Sequence, residues 1–167
     1  MKKVEVEMRK HVLASLAVFA FMLALSGSAL GCECVPQPPG KPSPEEARAA
    51  LVKDFNSAAV VFSGKVVKAN RFKVWFKVDK VWKGDVSKQF VMSTGAKPHE
   101  NGSYSISGCD YPFKLGEEYL VYAEPVDPAL HPGSTYLQAR ECTRTRLSKD
   151  TEQEMKELDE LQVHPII

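Results

Sequence analysis

In Ala59-Val60-Val61-Phe62-Ser63-Gly64-Lys65-Val66-Val67, β-branched and aromatic side chains crowd together at a density that suits a pleated sheet. The glycine inside this run predicts a bulge or a sharp bend of a coiled strand. Downstream, Phe72-Lys73-Val74-Trp75-Phe76-Lys77-Val78-Asp79-Lys80-Val81-Trp82-Lys83 alternates best in its second half. Phe76, Val78 and Lys80 are expected on one side and Lys77, Asp79 and Val81 on the other, with Gly84-Asp85 closing the strand. Three further strands are expected at Gln89 to Thr94, Glu118 to Ala123 and Thr135 to Ala139.

Upstream of the first strand, Ser43-Pro44-Glu45-Glu46 supplies an N-cap, a proline at the first helical position and a carboxylate at the third. Ala47, Ala50, Leu51 and Phe55 fall near one face, so this helix is expected to run to about Phe55. Ser148 precedes a second helical pattern over Asp150 to Leu161, where Met155, Leu158 and Leu161 form an apolar stripe. The fold class expected is mainly β: a five-stranded Greek-key OB-fold barrel with an N-terminal and a C-terminal helix packed on it. A two-sheet sandwich is the alternative. The sequence shows no internal repeat, no low-complexity tract and no second domain.

The chain opens with Lys2, Lys3, Arg9 and Lys10 ahead of an apolar run, Val12 to Leu25, of 14 residues in which Ser15 is the one polar member. That is the length of a signal-peptide core and short of the roughly 20 residues that span a bilayer. Small residues follow, and a cut before Cys32 would make residues 1–31 a signal peptide and 32–167 the mature domain. A cut after Ala29 also fits. Lipid attachment at Cys32 is a third route, poorly matched by Ala29-Leu30-Gly31-Cys32. The expected location is secreted, extracellular or periplasmic, with an envelope lipoprotein as the minor alternative and membrane contact only if Cys32 is lipidated. Removing the leader's four basic and two acidic residues takes the formal net charge from +1 to −1. Such a balance advertises neither nucleic acid nor an anionic membrane as partner.

Four cysteines remain: Cys32, Cys34, Cys109 and Cys142. An even number in an exported chain argues for two disulfides. Three connectivities exist, and Cys32 with Cys34 would enclose a strained loop, so each is expected to reach a distant partner. Four thiolates around a zinc are the competing reading, against which the Cys-x-Cys spacing with two isolated cysteines speaks. Val35-Pro36-Gln37-Pro38-Pro39-Gly40-Lys41-Pro42 reads as a stiff extended strap, and residues 32–42 as an N-terminal wedge.

Other chemistry-bearing residues read as ordinary. His99-Glu100 lies in a Pro and Gly loop without a second histidine at helical spacing. Trp75 and Trp82 are expected in the core or half-buried on the sheet. Glu152, Glu154, Glu157, Asp159 and Glu160 are expected to form the solvated face of a helix. Ser103, Ser105 and Ser107 have no histidine and carboxylate arrangement around them, so no enzyme is expected.

Cys32-Glu33-Cys34-Val35-Pro36, the pattern Val61-Phe62-Ser63-Gly64-Lys65-Val66, the hairpin Val78-x-x-Val81-Trp82-Lys83-Gly84, Cys109 ahead of Phe113-x-x-Gly116-Glu117-Glu118-Tyr119-Leu120, and Cys142 before a C-terminal helix together resemble one family. It is the tissue inhibitors of metalloproteinases, in their N-terminal, netrin-like OB-fold domain, and the resemblance covers nearly all of residues 32–162. It implies Cys32–Cys109 and Cys34–Cys142 disulfides. It also implies a ridge that enters a protease cleft, made of Cys32, Glu33, Cys34, Val35 and Pro36 with the loop Ser105-Ile106-Ser107-Gly108-Cys109. On this resemblance the backbone amine and carbonyl of Cys32 would grip the catalytic zinc of a metalloprotease, displacing its water. The protein would need no cofactor of its own, the zinc being the partner's, and would act as a monomer. Glu33 departs from the pattern, because it would bring a carboxylate to a pocket that is often apolar, at a cost of several kcal/mol unless it is paired there. A third family disulfide and a second cysteine-rich domain are missing. The alternative is a netrin-like binding module without inhibitory chemistry.

Overall fold

Residues Cys32, Cys34, 40–126 and 135–163 are described by a computed structural model. The leader and the strap from Val35 to Pro39 lie outside them. Strand β1 (Val60–Ala69) folds back on β2 (Lys73–Lys83) through Asn70. The Asn70 Oδ1 accepts from the backbone N–H groups of Phe72 (2.9 Å) and Lys73 (2.8 Å), an Asx turn.

The β1–β2 ladder slips in three places. Phe62 faces Val81 while Val61 faces Lys83, leaving Trp82 as an extra residue. Ser63 faces Lys80 while Gly64 faces Val78, leaving out Asp79, and Val66 and Lys68 face Phe76 and Trp75, leaving out Val67. Each extra residue is a bulge that bends the strand and reverses the inside-outside parity beyond it. A Cβ on Gly64 would stand 2.8 Å from the Lys77 carbonyl oxygen and 3.2 Å from the Val78 Cα, so only glycine permits this approach. The strict alternation expected over Phe76 to Val81 is therefore corrected: past Asp79 it is Val81, not Lys80, that packs with Phe76 and Val78.

Strand β3 (Gln89–Ser93) pairs with β2, and β4 (Lys97–Pro98) and β5 (Tyr104–Ser105) make a separate small hairpin. Strand β6 (Glu118–Pro125) lies on the other side of β1 and carries both β7 (Leu137–Gln138) and β8 (Arg146–Leu147). The main sheet thus runs β3-β2-β1-β6-β7, all antiparallel, with β8 also on β6. The five expected strands correspond to β1, β2, β3, β6 and β7, the last shorter than Thr135 to Ala139, and β4, β5 and β8 are additional. Strands β3 and β7 approach each other at the two ends, and among the described residues no ladder joins them.

The protein is mainly β, with a sheet and two helices. Helix α1 (Pro44–Ser57) begins with a capping box in which Ser43 Oγ accepts from Glu46 N–H (3.2 Å) and Glu46 Oε2 from Ser43 N–H (2.8 Å). These bonds hold the Glu46 carboxyl below its ordinary pKa. Lys83 donates to the carbonyls of Phe55 and Asn56 (2.8 Å each), where a cation suits the helix's negative end. A 3-10 turn (Ser148–Asp150) leads into α2 (Glu152–Val163).

Residues Tyr119 to Ala123 of β6 are all buried, which is the pattern of a strand covered on both faces. On one face Tyr119, Val121 and Ala123 join Phe62, Val66, Val74, Phe76 and Met92. Edge-to-face rings at 5.1–5.5 Å (Phe62–Phe76, Phe62–Phe90, Phe76–Phe113) fill it. On the other, Leu120 and Tyr122 with Val61 and Trp82 meet Leu51 of α1 and Leu158 and Leu161 of α2.

The acidic face expected on α2 is corrected at Glu154, which is buried. Its carboxylate accepts from Tyr122 Oη (2.8 Å), from Arg144 Nε (3.0 Å) and Nη2 (3.2 Å), and from Arg146. Burial and the adjacent Glu154 carboxylate push the Tyr122 phenol far above its usual range. Asp159, half-buried, accepts from the Trp82 indole (2.6 Å) and pairs with Lys80 (2.5 Å), which lowers its pKa. Trp82 is buried and Trp75 half-buried beneath Lys68, as expected of sheet residues.

Candidate functional site

The four cysteines form two disulfides, Cys32–Cys109 and Cys34–Cys142, closing sequence separations of 77 and 108. No described cysteine is free, so the four-thiolate zinc reading is set aside. The bonds lie side by side, with Cys32 Sγ 3.7 Å from Cys142 Sγ. The distal cysteines are brought together by backbone pairing. Glu141 N–H donates to the Cys109 carbonyl (2.9 Å), Tyr111 N–H to the Ala139 carbonyl (3.3 Å), and Asp110 and Arg140 form a bridge between them.

The loop before Cys109 is a constrained turn. Asp110 Oδ2 accepts from Ser107 N–H (2.8 Å), Ser107 Oγ from Cys109 N–H (3.1 Å), and the Ser107 carbonyl from Asp110 N–H (3.1 Å). The Asp110 carboxylate lies on Gly95, where an added Cβ would stand 2.1 Å from Oδ1, and Gly95 has φ +87°. Below the turn, Tyr111, Phe113 and Tyr119 contact one another with ring centroids 4.8–5.8 Å apart, and Tyr119 Oη accepts from Lys114 N–H (3.0 Å). Burial raises the Tyr111 phenol. The turn therefore stands on the aromatic core.

Of the expected contact residues, Ile106 is 69% exposed, and Ser107 and Gly108 are exposed beside it. Cys32 is tied to the end of this loop at Cys109, and Cys34 to Cys142 in the segment that pairs beside it. Glu33, Val35 and Pro36 lie outside the described residues. Cavities of about 210 and 220 Å³ open on either side of Ile106-Ser107, one toward Arg71, Thr94 and Tyr111, the other toward Lys97, Gln138 and Arg140. His99 and Glu100 are exposed at the tip of the β4–β5 hairpin.

Sequence reasoning missed Asp110 as the residue that holds the loop. The Ser107-x-x-Asp110 spacing was its only local sign. It also missed Tyr104 and Phe72, half-exposed rings in edge contact at 6.2 Å, with the Arg71 guanidinium 4.1 Å above Tyr104. Their pairing depends on the two-residue strand β5, which has no periodicity to detect.

No protein-family model matches the chain, and no curated protein matches it. The paired disulfides indicate an oxidising compartment, extracellular or periplasmic. Among the described residues, no helix is long and apolar enough to cross a membrane.

Proposed function

We propose that the mature chain is a secreted metalloendopeptidase inhibitor of the netrin-like type seen in the tissue inhibitors of metalloproteinases. One observation carries this reading: two adjacent disulfides fix Cys32 and Cys34 beside the exposed turn Ser105 to Gly108. In this reading the bulged sheet, whose end strands β3 and β7 approach each other, is an OB-fold barrel with α1 and α2 on one side. Cleavage before Cys32 supplies a free α-amino group next to that residue's own carbonyl.

A catalytic zinc keeps a coordination position open for water. The amine nitrogen and carbonyl oxygen of Cys32 would offer that metal two donors in place of the water, and the disulfides have already removed most of the freedom such binding would cost. Ile106, Ser107 and Gly108 extend the contact surface. Glu33, the residue that the resemblance assigns to the pocket beside the zinc, would select a protease that offers a cation or hydrogen-bond donors there.

Intact mass and a panel of zinc proteases test the proposal. The expected mature species begins at Cys32 and lacks four hydrogens. A retained Leu30-Gly31 or an added diacylglycerol would favour the non-inhibitory binding module. One alanine placed before Cys32 should weaken inhibition by about 100-fold, roughly 2.7 kcal/mol; unchanged inhibition would sink the mechanism. Only the neutral amine binds zinc, so affinity should fall by up to about tenfold per pH unit below the amine's pKa of roughly 8.

A further inference from the structure

We propose that the Cys34–Cys142 bond is a redox-sensitive latch whose opening transfers the Cys32 sulfur from Cys109 to Cys142. The sulfurs of Cys32, Cys34 and Cys142 all lie within 4.8 Å of one another, with Cys32 and Cys142 at 3.7 Å, close to the contact distance of two unbonded sulfurs. Both members of the Cys34–Cys142 bond are exposed, whereas Cys32 and Cys109 are half-buried. An external dithiol reductant therefore meets the Cys34–Cys142 bond first.

The chemistry has two stages. The dithiol attacks one sulfur of Cys34–Cys142, then closes on itself as a disulfide; it is oxidised by two electrons and leaves Cys34 and Cys142 as thiols. Cys142, losing its proton, attacks Cys32 Sγ. The Cys32–Cys142 bond forms, the Cys32–Cys109 bond breaks, and Cys109 leaves as the thiolate that takes up the proton. The second stage is exchange without net oxidation, and its distance is already set by the fold.

The product keeps Cys32 tethered while Cys109, and with it the end of the Ser105 to Cys109 turn, is released. This inference stands on the sulfur geometry and does not depend on protease inhibition. It would give the exposed ridge two covalent states selected by the thiol content of its surroundings.

The experiment is a graded reduction of the wild-type mature protein with dithiothreitol, quenched by acid, alkylated and mapped by non-reducing peptide mass spectrometry. The expected first two-thiol species to accumulate carries label at Cys34 and Cys109 and contains the Cys32–Cys142 peptide. Label at Cys34 and Cys142, label at Cys32 and Cys109, or all four cysteines labelled together would each overturn the proposal. A second arm uses Cys34→Ser, which leaves Cys142 without its partner. It should yield the Cys32–Cys142 peptide in excess over Cys32–Cys109, and Cys32–Cys109 alone would count against the transfer. If this variant does not fold, the wild-type titration decides.

Discussion

Glu154 shows how a single side chain can contradict the face it belongs to. In one dimension it is one of five acidic residues on α2, yet Tyr122 from β6, 32 residues upstream, and Arg144, 10 residues upstream, surround it. Removing its charge leaves Arg144 facing a buried neutral group. Glu154→Gln should cost about 3 kcal/mol in urea denaturation. Tyr122→Phe, which removes one hydrogen bond and leaves the ion pairs intact, should cost about 1 kcal/mol. Equal effects would argue against the paired carboxylate as the centre of this contact. Gly64 offers a second test, since its missing side chain is what lets β1 touch the backbone of Lys77 and Val78. Gly64→Ala should lower stability by about 1–3 kcal/mol through forced backbone displacement, and an unchanged melting temperature would show that the strands part without strain.

Among the elements, the long strands were legible because their apolar residues are dense and their ends are punctuated. Ala59 to Val67 and Glu118 to Ala123 read as strands, and the glycine in the first marked a real slip in register. What one-dimensional alternation does not contain is the position of the extra residues. Asp79 and Trp82 look like ordinary members of β2, and only pairing with β1 shows that each is skipped. The β4–β5 hairpin escaped for another reason: its strands are two residues long, and one contains Pro98. Helix α2 is fastened to the bulged end of β2 by Asp159, which holds Trp82 and Lys80. The folded-state pKa of Asp159 lies below the 3.8 of the free group, owing to its Lys80 and Trp82 bonds. Its contribution is therefore present above about pH 4 and is lost as pH falls through the lower, folded value. In Asp159→Asn the stability profile between pH 5 and 2 should be flatter than in the wild type; parallel profiles would remove Asp159 from the acid response.

At the scale of the whole molecule, the two disulfides join an N-terminal segment to parts of the chain that follow strands β1, β2 and β3. That the cysteines would be stapled was readable from their even number and their place after an apolar leader. The support of the candidate site was not, because Asp110 acts through Ser107 and Gly95, and the link to Gly95 crosses between loops. Loops of this length give roughly 4–5 kcal/mol of stabilisation per bridge in the chain-entropy model, against a typical total of about 5–15 kcal/mol for a domain. Complete reduction and alkylation should therefore abolish the cooperative melt at 37 °C by circular dichroism, and a preserved transition would place the stability in the two cores instead.

The same long closures impose a timetable on biosynthesis. Cys32 and Cys34 emerge early and wait as thiols for Cys109, which arrives 33 residues before Cys142. At about 5–20 residues per second, Cys109 is the sole distant partner for roughly 2–7 s. During that interval either early cysteine can capture it, and a Cys34–Cys109 bond formed then would leave Cys32 for Cys142. The neighbouring positions of the sulfurs in the finished fold give such a chain a short route back to the native pairing.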